Sequence, residues 1–357
     1  MAIAAPFALT PDQKSYLEIF MNKVSRSFAV VVPWVEEPLN QFLATAYLLC
    51  RVVDNIEDCG QPFSWKKIRF DELAQLLEKP ATAREILPVW ESQSWPNLTE
   101  AEQQLMSSAG GLLLWQIYAL IPEEARTRIR RWTLAMAEGM SRFENPEQDD
   151  WLVQRNGVQI LAREEHYNHY CYYVAGTVGH LTTELVILYY HLSEVEANRL
   201  LDTCEACGRG LQKTNIVKDF AEDLERGICY LPEEWLEKAN YTPLSLQGAG
   251  LDWKYRILGN VLDELDQASQ YVLALPYRAA GYRMASLLCL LPAYQTNLLE
   301  ARQNEKLFTR EHRFKISRQV MARCVMDAQR MLKNNSAILQ YGKQIRRDVE
   351  ELFGSEG

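Results

Sequence analysis

Helical periodicity runs through almost the whole chain, and it constrains the fold more than any other feature of the sequence. Apolar residues recur at spacings of three and four in most segments, while the two-residue alternation typical of strands is rare. The chain has 357 residues but only 17 glycines and 14 prolines to interrupt these segments. It contains no internal repeat, low-complexity linker or shift in composition. The sequence therefore predicts one all-α domain spanning residues 1–357.

Capping residues and turn residues set the boundaries of the predicted helices. Thr10-Pro11-Asp12-Gln13 is typical of a helix start, since it offers a capping hydroxyl and a proline at the first helical position. Gly176 and Gly179 should kink the longest segment, which begins at Val158. The predicted helices cover residues 11–21, 38–58, 65–77, 100–120, 122–143, 158–191, 194–223, 253–275, 278–302, 310–332 and 336–352.

The charge and the cysteines exclude several classes of protein. A net charge of −9 argues against a nucleic-acid-binding protein, although residues 301–350 carry a local basic surplus. The longest nearly apolar run, Ala109 to Ile121, is too short for a membrane span, which needs about 20 residues. The start of the chain does not resemble a signal peptide. We therefore expect a cytoplasmic protein without a transmembrane anchor, whose eight cysteines are reduced.

Two acidic motifs are the strongest candidates for chemistry. Each reads D-x-x-E-D, and within a helix the three carboxylates of each motif would share one face. The first cluster is Asp54, Glu57 and Asp58, and the second cluster is Asp219, Glu222 and Asp223. Like charges at this spacing destabilise a helix, so solvent or a bound cation must offset their repulsion. The first interpretation is an ordinary solvated charged face, and the second is a metal site. The apolar neighbours of both clusters favour Mg²⁺, with Mn²⁺ as an alternative, held by all six carboxylates.

Polar residues one or two turns before each cluster indicate a phosphate ligand. Tyr47 and Arg51 precede the first cluster on its face, and Gln212 and Asn215 precede the second. Mg²⁺ sites are commonly completed by phosphate oxygens, so two facing clusters could clamp one diphosphate. Arg51 would serve as a salt-bridge partner, a phosphate ligand or both. Glycine-rich nucleotide loops, the G-x-S-x-G elbow and H-E-x-x-H are absent from the sequence.

Several segments together resemble the squalene and phytoene synthase family over about residues 20 to 330. They are Ser25-Arg26-Ser27-Phe28, the first cluster, Tyr170-Cys171-Tyr172-Tyr173-Val174-Ala175-Gly176-Thr177-Val178-Gly179, Leu211-Gln212-Lys213-Thr214-Asn215-Ile216 and the second cluster. The resemblance implies an all-α isoprenoid synthase fold with both clusters at the mouth of one central cavity. It further implies condensation of two prenyl diphosphates and, in the squalene branch, reduction of the product by NADPH.

The resemblance also implies a role for each matching residue. Tyr170 and Tyr47 would be the catalytic aromatics. The expected substrate ligands are Ser25, Arg26, Ser27, Phe28, Tyr47, Arg51, Gln212, Asn215, Lys218 and Arg226. The expected NADPH ligands are Arg26, Arg51, Lys218, Lys315 and Arg318. Peripheral membrane contact is compatible with the apolar tails of such substrates.

Within the family, the motifs favour a farnesyl-diphosphate-using squalene synthase of bacterial type, and two alternatives stay open. Ile228, Leu288 and Ser317 depart from the squalene synthase pattern. A non-reductive relative making dehydrosqualene, hydroxysqualene or phytoene is the first alternative. The second, of another class, is a helical protein that binds prenyl diphosphates without turnover.

Overall fold

The computed structural model describes residues 7–25, 27–145 and 151–354, and most of these residues are helical. The α-helices are α1 (Pro11–Val24), α2 (Phe28–Val31), α3 (Leu39–Asp58), α4 (Phe63–Glu78), α5 (Ala83–Glu91), α6 (Glu100–Leu105), α7 (Ser108–Leu120), α8 (Glu123–Glu144), α9 (Glu164–Cys171), α10 (Thr177–Tyr189), α11 (Glu194–Leu201), α12 (Cys204–Lys218), α13 (Phe220–Glu225), α14 (Glu233–Glu237), α15 (Leu251–Ala274), α16 (Ala280–Arg302), α17 (Arg318–Met331) and α18 (Asn335–Gly354). Short 3₁₀ helices cover Val32–Trp34, Pro80–Thr82, Leu246–Gly248 and Asn304–Lys306, and a π-helical turn covers Tyr172–Gly176. The strands are β1 (Leu152–Arg155), β2 (Val158–Leu161) and β3 (Ile228–Cys229).

The chain divides into two compact units, and each unit combines two separate segments. Unit 1 consists of Met1–Pro146 with His180–Leu192, and unit 2 consists of Glu147–Gly179 with Ser193–Gly357. The division passes through α10. The predicted helical fold class is confirmed, whereas the single domain remains a prediction.

Helix α3 is the central helix of unit 1. It packs against α1, α4 and α8, and its apolar side chains at Leu48, Leu49, Val53 and Ile56 are completely or almost completely buried. Burial on several faces explains why this helix reads as apolar through most of its 20 residues. The first cluster occupies its last turn, so a rigid, packed helix positions those carboxylates.

Helices α12, α15 and α16 form the core of unit 2. Two glycines allow α12 to approach its neighbours at backbone distance. A Cβ atom on Gly208 would lie 2.0 Å from the Ala175 carbonyl oxygen, and one on Gly179 would lie 2.2 Å from the Cys204 carbonyl oxygen. Such distances exclude a side chain at either position. Gly208 therefore serves helix packing, which agrees with the absence of a glycine-rich nucleotide loop around it in the sequence.

The structure corrects four predicted helices. The predicted helix 100–120 is two helices, α6 and α7, which are separated at Met106 and Ser107. Residues 158–161 are not helical but form β2, which pairs antiparallel with β1 and parallel with β3. The predicted helix 194–223 is three helices, with breaks near Thr203 and at Asp219. The predicted helix 310–332 begins only at Arg318, where Ser317 provides the cap.

The structure also bears on membrane association. Among the residues it describes, no helix is both long enough and apolar enough to cross a bilayer. The predicted cytoplasmic location stays a prediction.

Candidate active site

The first cluster lies at the C-terminal end of α3 in unit 1. Asp54, Glu57 and Asp58 are all partly buried, and the helix places them on one face of its last turn. Arg51 lies one turn earlier, with its Nη1 atom 3.3 Å from the Asp54 Oδ2 atom. The cluster is therefore accessible from one side and carries a guanidinium at its edge.

A hydrogen-bonded chain connects this cluster to the segment before α2. Arg51 Nη2 donates to the Tyr47 hydroxyl at 3.0 Å, and that hydroxyl donates to the Val24 carbonyl oxygen at 3.3 Å. The rings of Tyr47 and Phe28 pack with centroids 5.1 Å apart. The Ser25 hydroxyl accepts a hydrogen bond from the Phe28 backbone N–H at 3.0 Å. The structure thus brings five of the predicted substrate and metal residues of unit 1 into one continuous set.

The remaining predicted residues of the same segment are Ser27 and Arg26. Ser27 is exposed and precedes the short helix α2. Arg26 lies outside the described residues, so its predicted contacts with substrate and NADPH stay predictions.

Burial and mutual repulsion disfavour the ionised form of the first cluster. Burial raises the pKa of the Asp54 carboxyl to about 6, against the opposing effect of Arg51. Burial, with Asp58 next in effect, raises the pKa of Glu57 well above its ordinary value. Both shifts show that the local positive charge does not compensate the carboxylates fully. A bound cation would reverse this balance.

The second cluster lies at the junction of α12 and α13 in unit 2. Asp219 closes α12 and opens α13, since its backbone N–H donates to Asn215 and its carbonyl oxygen accepts from Asp223. The Lys218 Nζ atom donates to the Asn215 side-chain oxygen at 2.8 Å and lies 3.1 Å from Asp219 Oδ2. The structure therefore places Asn215, Lys218 and Asp219 in contact with one another. Their predicted roles in binding substrate and metal stay predictions. Gln212 lies partly buried one turn earlier on α12.

Arginines close the far side of the second cluster. The Nη1 atom of Arg226 is 4.0 Å from Asp223 Oδ1. Arg313, which the sequence reasoning missed, lies 2.7 Å from Glu222 and 2.9 Å from Glu225 through its two terminal nitrogens. The local basic surplus of residues 301–350 was the available signal for it. Arg313 connects the exposed segment of Lys315 and Arg318 to the second cluster.

Tyr170 lies at the C-terminal end of α9, next to the π-helical turn. Its ring is buried and stacks on the Tyr230 ring at a centroid distance of 4.4 Å. A stacked, buried aromatic pair suits an apolar or cationic carbon chain better than an ionic ligand. Tyr230 follows β3 directly, so the small sheet that the periodicity missed positions the partner of Tyr170.

The donor chemistry of both clusters fits Mg²⁺, although neither forms a closed cage. Over the described ranges, no three His, Cys, Asp or Glu side chains are gathered closely enough to hold a metal ion alone. Mg²⁺ does not require such a cage, because it usually retains waters and takes one or two carboxylates together with substrate phosphate oxygens. The raised pKa values of Asp54 and Glu57 fit that mode of binding, because a bound cation would favour their ionised forms. All eight cysteines are free thiols, six of them buried and Cys207 and Cys289 partly so, which favours packed cysteines over a zinc site.

The fold is a helical one that carries two acidic clusters, and comparisons with known proteins give the family. A sequence profile of the squalene/phytoene synthase family matches residues 21–334. The chain therefore belongs to the squalene/phytoene synthase family, as its motifs predicted.

Individual relatives support the same assignment, and solved structures share the fold. The squalene synthase of Cyberlindnera jadinii is 29% identical over 262 residues, which cover 71% of this chain and 54% of that protein. This chain thus spans about half the length of the curated relatives it matches. A solved structure of TcSQS with the ligand BPH1237 superposes with a TM-score of 0.74 at 20% identity, covering 97% of this chain and 100% of that one. A dehydrosqualene synthase structure in complex with ligand gives a TM-score of 0.62 at 16% identity, covering 90% and 97%.

Proposed function

We propose that this protein is a prenyltransferase that condenses two farnesyl diphosphates to presqualene diphosphate and reduces that intermediate to squalene with NADPH. The observation that carries the proposal is the pair of acidic clusters, each with a cationic side chain in contact, in a chain of this family. In unit 1 Arg51 contacts Asp54, and in unit 2 Lys218 contacts Asp219. Carboxylates alone would repel a diphosphate, whereas carboxylates with a divalent cation and a neighbouring base bind one.

Mg²⁺ held by the first and second clusters would supply charge neutralisation that makes the diphosphate a better leaving group. In the first half-reaction the C–O bond of one farnesyl diphosphate breaks, and the diphosphate leaves with the electron pair. A double bond of the second substrate attacks the allylic cation, and loss of one proton closes the cyclopropane ring. Arg51 in unit 1 and Lys218 in unit 2 would each bind diphosphate oxygens, and the stacked Tyr170 would face the developing cation or accept its proton.

In the second half-reaction the remaining diphosphate leaves, the cation rearranges, and hydride from NADPH reduces it while NADP⁺ is released. Lys315 and Arg318 are exposed, so they are available for the phosphates of NADPH. Replacing both by Ala should raise the KM for NADPH and leave presqualene diphosphate formation unchanged. Equal loss of both half-reactions would contradict this assignment.

Product analysis tests the proposal directly. Purified protein is incubated with farnesyl diphosphate and Mg²⁺, with and without NADPH. Squalene formed only with NADPH is the expected result. Dehydrosqualene or hydroxysqualene in both reactions would instead establish a non-reductive enzyme, as the departures at Ile228, Leu288 and Ser317 allow.

Two further outcomes would change the substrate or the class. Phytoene from geranylgeranyl diphosphate would establish a longer substrate. Binding of prenyl diphosphate without any product would establish the non-catalytic alternative. Peripheral membrane contact is part of the proposal only through the apolar product, and flotation with vesicles would measure it.

A further inference from the structure

Glu300 is a fully buried carboxyl group for which the described structure provides no hydrogen-bond partner. It lies near the end of α16, its residue is 0% exposed, and both side-chain oxygens are unpaired among the described residues. Buried polar groups are almost always hydrogen-bonded, because leaving one unpaired in an apolar interior costs free energy. Glu300 therefore requires an explanation beyond packing.

Other buried carboxylates of unit 2 show what a structural role looks like. Glu233 is 8% exposed and lies 2.8 Å from the Arg155 Nε atom. Glu264 lies 2.7 Å from both Lys213 and Arg209. Each of these groups has a cationic partner, whereas Glu300 has none among the described residues. An apolar side chain of similar volume at position 300 would therefore cost little or no stability.

The charged groups that act on Glu300 belong to the second cluster and its cation. Lys218 favours its ionised form and Asp219 disfavours it, while burial raises the pKa of Glu300 well above its ordinary value. One turn earlier on α16, Asn297 is also 0% exposed, and its Oδ1 atom has no partner in the part of the chain described. Three acceptor atoms without donors thus lie on a buried face of α16, and this helix packs against α12, which ends at Lys218.

Unpaired acceptor oxygens beside a carboxylate cluster are complementary to positive charge, and the amide nitrogen of Asn297 is already used in a hydrogen bond to the Leu258 carbonyl oxygen. The Lys218 ammonium is already directed to Asn215 and Asp219. A divalent cation at Asp219 would add the charge that is missing, and it would favour an ionised Glu300 behind it. Partners behind the ligands of a metal commonly strengthen its binding in this way.

We propose that Glu300 is a positioning residue of the second cluster and acts as the buried counter-charge for a divalent cation bound at Asp219 with a diphosphate. The inference rests on the proposed function, since it requires the second cluster to bind a cation. Without ligands Glu300 lowers the stability of the fold. When a divalent cation and a diphosphate are bound at Asp219, Glu300 increases the affinity for the cation. A residue that only fills the core would stabilise the ligand-free protein and would leave the affinity for the cation unchanged.

Thermal unfolding of the full chain separates these roles. Wild type, Glu300→Gln and Glu300→Leu are compared in EDTA and in Mg²⁺ with inorganic diphosphate. In EDTA both variants should unfold at the wild-type temperature or above it. In Mg²⁺ and diphosphate the wild type should shift upward, and Glu300→Gln should need about 10–100-fold more Mg²⁺ for the same shift.

Glu233→Gln is the matched control, because it neutralises a buried carboxylate of the same unit that has a partner. It should lower the unfolding temperature in EDTA and keep the wild-type response to Mg²⁺. An unchanged Mg²⁺ response in Glu300→Gln, or unfolding of both Glu300 variants in EDTA below wild type, overturns the inference alone. A wild type that does not respond to Mg²⁺ and diphosphate overturns the proposed function and the inference with it.

Discussion

The two acidic clusters share one five-residue pattern, D-x-x-E-D, but they stand on different local structures. The first occupies the last turn of an uninterrupted 20-residue helix, α3. The second spans a junction, because α12 ends at Lys218 and α13 begins at Phe220. The motif therefore determines which carboxylates each cluster contains, whereas the surrounding packing determines the backbone conformation on which they lie.

The electrostatic settings differ as well. At the first cluster Arg51 contacts Asp54, while the nearby Lys66 ammonium pairs with Glu144 at 2.7 Å. At the second cluster three cations lie within 4.0 Å of its carboxylates, namely Lys218, Arg226 and Arg313. Burial raises the pKa of both Asp54 and Glu57, so an added cation would favour their ionised forms, while three cations already contact the second cluster.

Loss of one carboxylate should have the largest effect in either cluster. We expect Asp54→Asn and Asp219→Asn each to reduce turnover of farnesyl diphosphate at least about 100-fold, since a direct ligand matters more than a residue behind it. Steady-state product formation at saturating Mg²⁺ measures this. Asp252→Asn, at an exposed position of α15, is the control and should retain activity. Near-normal turnover in both cluster variants would refute the metal assignment.

The tight seating of α12 is specific to the second cluster and can be tested through stability. A methyl group on Gly208 would collide with the Ala175 carbonyl oxygen. Gly208→Ala should therefore lower the free energy of unfolding by about 1–3 kcal/mol, the usual cost of overpacking. Urea denaturation measures the change.

Gly259→Ala is the matched control for this substitution. It places the same methyl group on α15, at a position where no described heavy atom lies within 4 Å. Since alanine is the better helix former, the control should be neutral or more stable by up to about 1 kcal/mol. Equal destabilisation by both variants would show that the close approach of α12 is not required.

Exchanging the cationic partner of each cluster should have a smaller effect on activity, and it compares the two clusters directly. Arg51 uses its planar guanidinium to contact both Tyr47 and Asp54. Arg51→Lys keeps the charge but cannot reproduce both contacts, so the KM for farnesyl diphosphate should rise about tenfold, the equivalent of one charge-assisted hydrogen bond. Lys218→Arg, the reciprocal change, should raise KM less, because the lysine acts mainly as a point charge. Identical effects of the two exchanges would erase the distinction between the clusters.

Much of this site was predictable because its residues repeat at helical spacing. The positions of Tyr47, Arg51 and Asp54 on one face of α3 follow from their separations alone, and the structure confirms their contacts. The break at Asp219 did not follow from spacing. Phe220 is buried and packs edge-on against Phe308, with centroids 5.2 Å apart, and this distant contact accompanies the turn in the backbone.

Other parts of the structure depended on partners that are remote in sequence. Strand β2 was predicted to be helical because a four-residue apolar segment fits either period, and its pairing with β1 and β3 decides the outcome. The spacing of the sequence does not single out Glu300. Its burial became visible only once α12 and α16 were packed together.

The smallest expected effect concerns Arg313, the cation that spacing did not reveal. It pairs with Glu222 and Glu225 at an exposed surface, where an ion pair contributes about 0–1 kcal/mol. Arg313→Gln should therefore change the free energy of unfolding by less than about 1 kcal/mol, with Arg310→Gln as the exposed control. Its effect on function should be larger at low salt, because the charge of Glu222 would no longer be offset by Arg313 and would repel an incoming diphosphate. A rise in KM that is independent of ionic strength would show instead that Arg313 contacts the substrate, and the second cluster would then differ from the first by a direct guanidinium ligand.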